Sequence, residues 1–344
     1  MSKTYTEMKA QYAALNRTAE YIQNRINIIG RYLNEGQCRI MAFLGSGSSY
    51  SVAKSCEAIY RDMNCGAAAS YASGDVMLNA ERYAEALDNG VIVAITRSGS
   101  TSEVLNAIAE VKKRATVRVI AITCVEDSPI KDIADLTLEL PWAFDESVCQ
   151  TRTVSNMYLA GAMIAVGIAG KSVVLRRIEE SVAKLEAYSN SIEATFLSLA
   201  KERWDSAVVL ADGEMAGIAE EGALAFKEIC QVPSNSYGLL DCRHGPMVVM
   251  GKGTLIIACA VKDGEYERKL IADLTAKHAT VVTFTDLPAE FPNTYSNFSF
   301  GQELDPIVRA IALLIICQYA SYYKALVKGL NPDAPAGLDA WIKL

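Results

Sequence analysis

The chain has 344 residues, of which 51% are hydrophobic and 21% are charged, a composition typical of a globular protein with room for about two domains. Its net charge of −7, without any block of five like charges, argues against a nucleic-acid-binding protein. Because the overall charge repels anions, an anionic ligand would have to be held by local groups.

Cysteine usage and hydropathy indicate a cytoplasmic protein. The nine cysteines form no C-x-x-C pair, and the chain starts with the polar stretch MSKTYTEMKAQ, which favours a reducing compartment. The longest apolar stretches, near residues 157–169 and 310–317, are shorter than the roughly 18 residues that a membrane span needs. We therefore expect buried helices there, and neither a membrane nor a nucleic acid as partner.

The first half of the chain predicts helices followed by an α/β unit. Residues 1–35 are amphipathic and predict one or two helices. Short apolar runs predict buried strands at 39–44, 67–72, 91–96 and 117–123. Helical periodicity lies between these runs, at 50–64 and 101–114. Alternating strands and helices favour a parallel sheet covered by helices.

The same alternation restarts after a helical region at about 151–200. Strands are predicted at 207–210, 234–237, 254–260 and 279–284, with a helix at 214–230. The interval from MAFLG to VIVAIT, roughly 50 residues, recurs between VVLADG and LIIACA. We predict a duplicated doubly wound α/β fold; the alternative is one continuous domain with coincidental spacing. The predicted parts are N-terminal helices 1–35, a first domain 36–170, a helical linker 171–200 and a second domain 201–344.

Two hydroxyl-rich turns follow the first and third predicted strands. The first, GSGSSY at 45–50, lacks the third glycine of the dinucleotide-binding fingerprint. The second, TRSGSTSE at 96–103, contains the capping-box spacing of Ser100 and Glu103, which is the alternative explanation for its polarity. A helix N-terminus with free amides and added hydroxyls favours a dianion, and no P-loop lysine is present. We therefore predict a site for a compact phosphate monoester.

These turns resemble a known family. TRSGSTSE resembles the S-x-S-G-x-T-x-E signature of sugar isomerase (SIS) domains, and GSGSSY resembles the first turn of that domain. The duplication resembles two tandem SIS domains, each a flavodoxin-like doubly wound parallel sheet. The resemblance covers nearly the whole chain after about residue 35. It is strongest to the isomerase half of glucosamine-6-phosphate synthase, AgaS-type isomerase/deaminases and fructosamine-6-phosphate deglycases.

The resemblance implies which residues bind the substrate. It assigns the phosphate to Ser48, Ser49, Ser98 and Thr101, and the same turns supply the further candidates Gly47, Thr96, Arg97, Gly99 and Ser100. Thr96 and Arg97 stand where the family usually has serine and, in the synthases, glutamine. The segment ESVCQTR at 146–152 resembles the family's E-x-x-V-A-S-T-K and places Val148 and Gln150 near the sugar hydroxyls.

The second half supplies the catalytic candidates. Of the two histidines, His244 lies in a CRHGP segment whose Gly-Pro predicts a rigid turn, although a surface-loop histidine is the alternative. His278 looks like an exposed helix end. Glu221 and Glu228 are seven residues apart and share a helix face, which a solvated acidic stripe would also explain.

The resemblance implies roles for two of these residues. Glu228 matches the general base of the family's E-G-A-L-K-x-K-E segment, and His244 matches the histidine that assists ring opening. A carboxylate can carry a proton between adjacent sugar carbons, and a histidine can serve as acid or base at neutral pH. In such enzymes the histidine comes from a neighbouring subunit, so we expect a homodimer or larger homo-oligomer with shared active sites. Neither a metal nor a cofactor is expected, since the histidines and cysteines form no ligand cluster.

Some departures limit the function. Ala225 and Ala340 stand where the synthases have lysines, and Lys343 is only a weak substitute for the Schiff-base lysine. Residue 2 is serine and no glutaminase segment is found, so glutamine-dependent synthesis is not expected. We expect a phosphosugar isomerase acting on an amino sugar 6-phosphate, with or without deamination. The alternatives are a fructosamine-6-phosphate deglycase and a non-catalytic sugar-phosphate sensor.

Overall fold

A computed structural model describes residues 2–34, 36, 38–63 and 65–339. These residues form two compact units. The N-terminal unit contains Thr6–Glu146, Gln150–Ala183 and residue 339, and the C-terminal unit contains residues 2–5, Ser147–Cys149 and Lys184–Leu338. The domain limits expected from the sequence remain predictions. Ala340 and Lys343 lie outside the described residues.

The N-terminal unit contains a five-stranded parallel sheet between helices. Its elements are α1 (Lys3–Gln23, with its first residues in the C-terminal unit), α2 (Ile26–Asn34), β1 (Met41–Gly45), α3 (Ser48–Asp62), β2 (Ala68–Ala72), α4 (Ser73–Leu78), α5 (Ala80–Leu87), β3 (Gly90–Thr96), α6 (Ser102–Lys112), β4 (Val117–Thr123), β5 (Leu136–Glu139), α7 (Arg152–Ile168) and α8 (Ser172–Val182). The strand order is β2-β1-β3-β4-β5, and every pair is parallel.

Burial explains why the apolar runs form strands. Every residue of β1 and β3 is buried, as expected for central strands that helices cover on both faces. On one face, Ile92 and Ala94 of β3 belong to the same core cluster as Val104 and Ile108 of α6. The four strands predicted in this half are confirmed. β5 was not predicted, because its four residues are mostly half-buried and give only a weak apolar signal.

The C-terminal unit has the same sheet topology. Its elements are α9 (Leu185–Leu199), β6 (Ser206–Leu210), α10 (Ala216–Ile229), β7 (Ser234–Tyr237), β8 (Thr254–Cys259), α11 (Glu265–Ala276), β9 (Thr280–Thr285), β10 (Ser296–Ser299) and α12 (Pro306–Val327). Its five strands are parallel in the order β7-β6-β8-β9-β10, which repeats the order of the first sheet. The expected pair of doubly wound sheets is therefore present. Short 3-10 helices lie at Pro129–Asp132, Pro141–Ala143, Gly213–Met215, Asp241–Arg243 and Pro246–Val249.

Helix α12 is the core helix of the C-terminal unit. It has 22 residues and is apolar enough, by length and composition, to cross a membrane, but 83% of its most apolar window is buried within the protein. A Cβ on Gly222 of α10 would lie 2.6 Å from Cys317 Sγ of α12, so the two helices pack closely there. Asp305 caps α12 by accepting a hydrogen bond from the Ile307 amide at 3.0 Å.

Candidate functional site

The first hydroxyl-rich turn joins β1 to α3. A Cβ on Gly45 would lie 2.5 Å from the backbone of Ser49, so only glycine lets the helix start this close to the strand. Gly47 precedes α3 with a φ of +54°, a conformation that favours glycine. Ser48 and Ser49 form the first turn of α3 and are each 5% exposed. The Ser49 and Tyr50 amides donate hydrogen bonds to the carbonyls of Ser46 and Gly47 at 3.1 and 2.9 Å, so the two serines are held in place at the start of the helix.

The second hydroxyl-rich turn joins β3 to α6. The Thr96 and Thr101 hydroxyls are hydrogen-bonded at 3.1 Å, and the Ser98 hydroxyl accepts a hydrogen bond from the Ser100 amide at 3.2 Å. Gly99 has a φ of +61° and is buried. The carbonyl of Gly99 accepts a hydrogen bond from the Ile130 amide at 2.8 Å, which ties the turn to the following loop. The turn is thus a compact, internally hydrogen-bonded hydroxyl cluster at a helix N-terminus.

The alternative explanation of this turn, a capping box at Ser100 and Glu103, is wrong. Helix α6 begins at Ser102, so Thr101 is the N-cap and Glu103 is the second helical residue rather than the third. The Thr101 side chain makes no capping hydrogen bond, and Glu103 Oε2 is buried without a hydrogen-bond partner among the described residues. Because neither side chain takes up the first amides of α6, helix capping does not account for this polar turn.

The two turns lie side by side at one edge of the first sheet. β1 and β3 are neighbouring parallel strands, with Leu44 opposite Ala94 near their carboxyl ends. From β1 the chain goes to β2 on one side, and from β3 it goes to β4 on the other. This is the switch point of a doubly wound sheet, where such folds bind ligands. The sequence correctly predicted that the turns follow adjacent strands.

Two further polar residues of this edge, Ser73 and Ser128, were missed by sequence reasoning. The hydroxyl of Ser73, at the start of α4, is hydrogen-bonded to the hydroxyl of Ser46. Ser128 Oγ is buried without a described hydrogen-bond partner, and it lies 2.0 Å from the position of a Cβ on Gly99. Arg97, a candidate from the sequence, is just 6% exposed.

The 145–152 segment is built around a buried carboxylate. Asp145 Oδ2 accepts hydrogen bonds from the amides of Thr151 and Thr153 at 2.7 and 2.8 Å. Burial, reinforced by the negative charge of Glu7, raises the pKa of Asp145 to about 6, although those hydrogen bonds and Arg152 oppose the shift. Asp145 thus fixes the backbone at the start of α7.

Val148 and Gln150, the predicted sugar contacts, fall in different units. Val148 belongs to the C-terminal unit, where its amide donates a hydrogen bond to the Asp333 carbonyl at 3.0 Å. Gln150 belongs to the N-terminal unit, and its Oε1 atom is buried without a hydrogen-bond partner among the described residues. An unsatisfied amide oxygen of this kind is a candidate acceptor for a ligand hydroxyl. The role of Val148 remains a prediction.

Helix α10 carries the two candidate carboxylates of the C-terminal unit. Glu221 is 2% exposed, whereas Glu228 is half-buried near the end of the helix. Gly222 lies against Cys317 of α12, and Ala223 and Ala225 are buried, so the predicted close packing of this helix is confirmed. A solvated acidic stripe is therefore excluded for Glu221.

His244 lies at the surface of the C-terminal unit. It follows the 3-10 helix Asp241–Arg243, and its amide donates a hydrogen bond to the Asp241 carbonyl at 2.9 Å. The imidazole lines an open groove of about 390 Å³. Gly245 has a φ of +123°, in agreement with the predicted special turn. His278 is exposed just after α11, as expected.

Comparison with protein families identifies the first sheet. The family model for the SIS domain matches residues 37–167, which include both hydroxyl-rich turns. The match covers the first sheet and not the second, so a tandem SIS arrangement remains a prediction.

Similar proteins match more of the chain. A glutamine–fructose-6-phosphate aminotransferase (isomerizing) from Caldanaerobacter subterraneus subsp. tengcongensis is 28% identical over 270 residues, which is 72% of this chain and 42% of the relative. The chain therefore spans less than half the length of this curated relative. The crystal structure of a glucosamine-6-phosphate deaminase from Thermotoga maritima is 26% identical, with a TM-score of 0.79 over 100% of both chains.

A third comparison extends the likeness of fold. The crystal structure of tagatose-6-phosphate ketose/aldose isomerase from Escherichia coli has a TM-score of 0.83, covering 98% of this chain and 96% of that chain. At 18% identity this likeness concerns the fold alone. The similarity to the SIS domain model is therefore limited to residues 37–167, the part of the chain that contains the two turns at the switch point.

Proposed function

We propose that this protein is a phosphosugar isomerase that acts on an amino sugar 6-phosphate, with or without release of ammonia. One observation carries the proposal: two hydroxyl-rich turns follow the neighbouring strands β1 and β3 at the switch point of the first sheet, and α6, which begins at the second turn, has no side-chain cap. The relatives named above act, by their names, on hexose and hexosamine 6-phosphates, which supports this substrate class.

The turn chemistry suits a phosphate monoester. Helix α6 has 11 residues, and its first amides and dipole attract a dianion. Ser48, Ser49, Ser98 and Thr101 add hydroxyl donors, and the buried Arg97 adds a positive charge. A phosphate held there would orient the sugar for reaction at its carbonyl end, because a fixed tail restricts the positions that the carbonyl carbon reaches.

Glu228 and His244 are the proposed catalytic pair. Glu228 removes a proton from the carbon beside the carbonyl and returns it to the neighbouring carbon, through an enediol or enolamine intermediate. His244 acts as acid or base when the sugar ring opens. The reaction needs no metal or cofactor, because proton transfer alone converts the aldose to the ketose.

A second copy of the chain is the proposed source of His244. The residues that follow His244 are apolar yet exposed, with Val248 81% and Val249 76% exposed. Neighbouring exposed apolar side chains of this kind are typical of a protein interface. A homodimer would cover them and bring His244 to the partner's active site.

The test of the proposed reaction is a panel of hexose, hexosamine and fructosamine 6-phosphates, assayed for isomerisation, ammonia and amino acid release. We expect isomerisation of an amino sugar 6-phosphate. Glu228→Gln should lower kcat by about 10²- to 10⁴-fold while substrate still binds. Glu220→Gln, the same change on the same helix, is the matched control and should leave kcat within about twofold.

The other outcomes identify the alternatives. Amino acid release from a fructosamine 6-phosphate would favour a deglycase, and binding of several sugar phosphates without turnover would favour a sensor and overturn the proposal. Mixed Glu228→Gln and His244→Ala subunits should recover part of the activity. If subunit exchange is demonstrated and no activity returns, the shared site is wrong.

A further inference from the structure

The second sheet has a cleft at its own switch point. Its volume is about 460 Å³, within the range of small-molecule sites. The chain leaves β6 toward β7 and leaves β8 toward β9, so the carboxyl ends of β6 and β8 border the crevice in which doubly wound folds bind ligands. The lining includes Asp212 and Glu214 after β6, Lys262 after β8, Tyr266 and Glu267 of α11, and Arg309 of α12. All belong to the C-terminal unit, and we name this the second cleft.

A carboxylate at the N-terminus of α11 disfavours phosphate in the second cleft. At the N-terminus of α11, the Glu267 carboxylate accepts hydrogen bonds from the Gly264 amide at 2.8 Å and from the Lys262 amide at 3.2 Å. The Glu267 carboxylate therefore lies at the N-terminus of α11, where its negative charge opposes the binding of a phosphate. Helix α6 of the first sheet has no side-chain cap at its N-terminus.

The charges lining the second cleft favour a cation. Arg309 is neutralised by two hydrogen bonds to the Asp286 carboxylate, at 2.8 and 2.6 Å, and its Nη1 atom lies 4.0 Å from Glu214. Asp212 Oδ1 accepts a hydrogen bond from the Leu239 amide at 3.0 Å and lines the cleft. With Lys262 as the remaining cation, the carboxylates outnumber the positive charges.

The occupant that fits best is an organic cation rather than a metal ion. The described residues contain no group of three or more His, Cys, Asp or Glu side chains that could hold a metal. Tyr266 instead offers an aromatic ring, 70% exposed at the cleft, on which a small ligand can pack. Cations are also attracted to aromatic faces.

We propose that the second cleft binds a small hydroxylated primary amine without a phosphate group, such as a free amino sugar. The ammonium group is held by Glu214 and Asp212, and the hydroxyls reach the remaining carboxylate oxygens. The apolar face of the ligand packs on Tyr266. This site is separate from the proposed phosphate site, and its occupant differs from the substrate by carrying no phosphate.

The test is isothermal titration calorimetry of the full chain with D-glucosamine, D-glucose and, as a phosphorylated comparison, glucosamine 6-phosphate. The first two compounds differ only in the amino group at one carbon. We expect D-glucosamine to bind at least tenfold more tightly than D-glucose, since a charge-assisted hydrogen bond is lost with the amine. The measurement needs no turnover, so it succeeds or fails independently of the isomerase assay.

Three substitutions place the binding in the second cleft. Glu214→Gln should weaken D-glucosamine binding about tenfold, whereas Glu186→Gln, the same change at an exposed position of α9, should leave it unchanged. Lys262→Gln should strengthen binding by roughly threefold, because it removes a like charge. This gain cannot come from a misfolded variant.

Four results would overturn the proposal. The first is absence of D-glucosamine binding at concentrations up to about 10 mM, the weakest affinity expected of such a site. The second is equal binding of D-glucose, and the third is an affinity for D-glucosamine that neither Glu214→Gln nor Lys262→Gln changes. The last is complete competition: if glucosamine 6-phosphate abolishes the binding signal of D-glucosamine, the amine binds in the phosphate site and not in the second cleft.

Discussion

Replacing Gly99 with alanine tests whether the turn before α6 requires a residue without Cβ. Gly99 has a φ of +61°, and a Cβ there would lie 2.0 Å from Ser128 Oγ and 3.0 Å from Thr123 Oγ1. The left-handed conformation costs a non-glycine residue about 1–2 kcal/mol. Overpacking a buried site adds about 1–3 kcal/mol. We therefore expect Gly99→Ala to lower the free energy of unfolding by about 2–5 kcal/mol.

The chain provides a matched control at Gly47. Gly47 also has a positive φ, +54°, but a Cβ there would have no neighbouring atom within 4 Å. Gly47 has a ψ of −127°, a strained conformation for a residue with a Cβ, so Gly47→Ala should lower the free energy of unfolding by about 1–3 kcal/mol. This variant measures the cost of an unfavourable backbone conformation without a steric contact.

Urea unfolding, followed by circular dichroism, measures both variants and a Gly99→Ala variant in a Ser128→Gly background. Removing the Ser128 side chain takes away the two nearest contacts and leaves Thr123 Oγ1. The cost of Gly99→Ala should then fall by about 1–3 kcal/mol, a coupling typical of residues in contact. Equal losses for Gly47→Ala and Gly99→Ala, or no coupling to Ser128, would refute the steric argument.

Two further predictions concern buried or capping carboxylates. Because the pKa of Asp145 is raised to about 6 in the folded protein, its contribution to stability is present below about pH 4 and is lost as the pH rises through 6. The wild type should therefore lose about 3 kcal/mol of unfolding free energy relative to Asp145→Asn between pH 4 and 7, as measured by urea titration. Parallel curves of unfolding free energy against pH for the two proteins would contradict this. Asp333 accepts hydrogen bonds from the Lys3 amide, the Thr4 amide and the Thr4 hydroxyl at 2.9, 2.8 and 2.8 Å, so Asp333→Ala should destabilise the protein by about 1–2 kcal/mol at pH 7 in the same assay. Burial alone would raise the pKa of Asp333, but these hydrogen bonds lower it. The loss of stability in Asp333→Ala should therefore vanish only in strong acid. An equal loss of stability at every pH would count against this reasoning.

The sequence alone was enough to predict those strands, in both sheets, that consist of strongly apolar runs. Fully buried strands such as β3 read as continuous apolar stretches, and glycine and serine mark the turns that follow them. The repeated interval between strands also predicted two like sheets, and both have the same strand order. These features depend on residues that are close together in the chain, which is why the sequence was enough to predict them.

Only part of the proposed phosphate site could be predicted from the sequence. Its serines and threonines were found because they cluster in sequence, but the helix start was misplaced by one residue, which produced the false capping box. The burial of Ser128 beside Gly99 has no sequence signal, since residue 128 comes from the loop after the next strand.

Tertiary structure decided the features that depend on distant neighbours. The raised pKa of Asp145 comes from burial and from Glu7, which lies far away in the chain. In the second cleft, Arg309 of α12 meets Asp286 and Glu214 from other strand ends. Periodicity and turn chemistry record only the conformation of neighbouring residues. Charge balance, burial and hydrogen-bond satisfaction are set by which segments the fold brings together, and so they appear only in three dimensions.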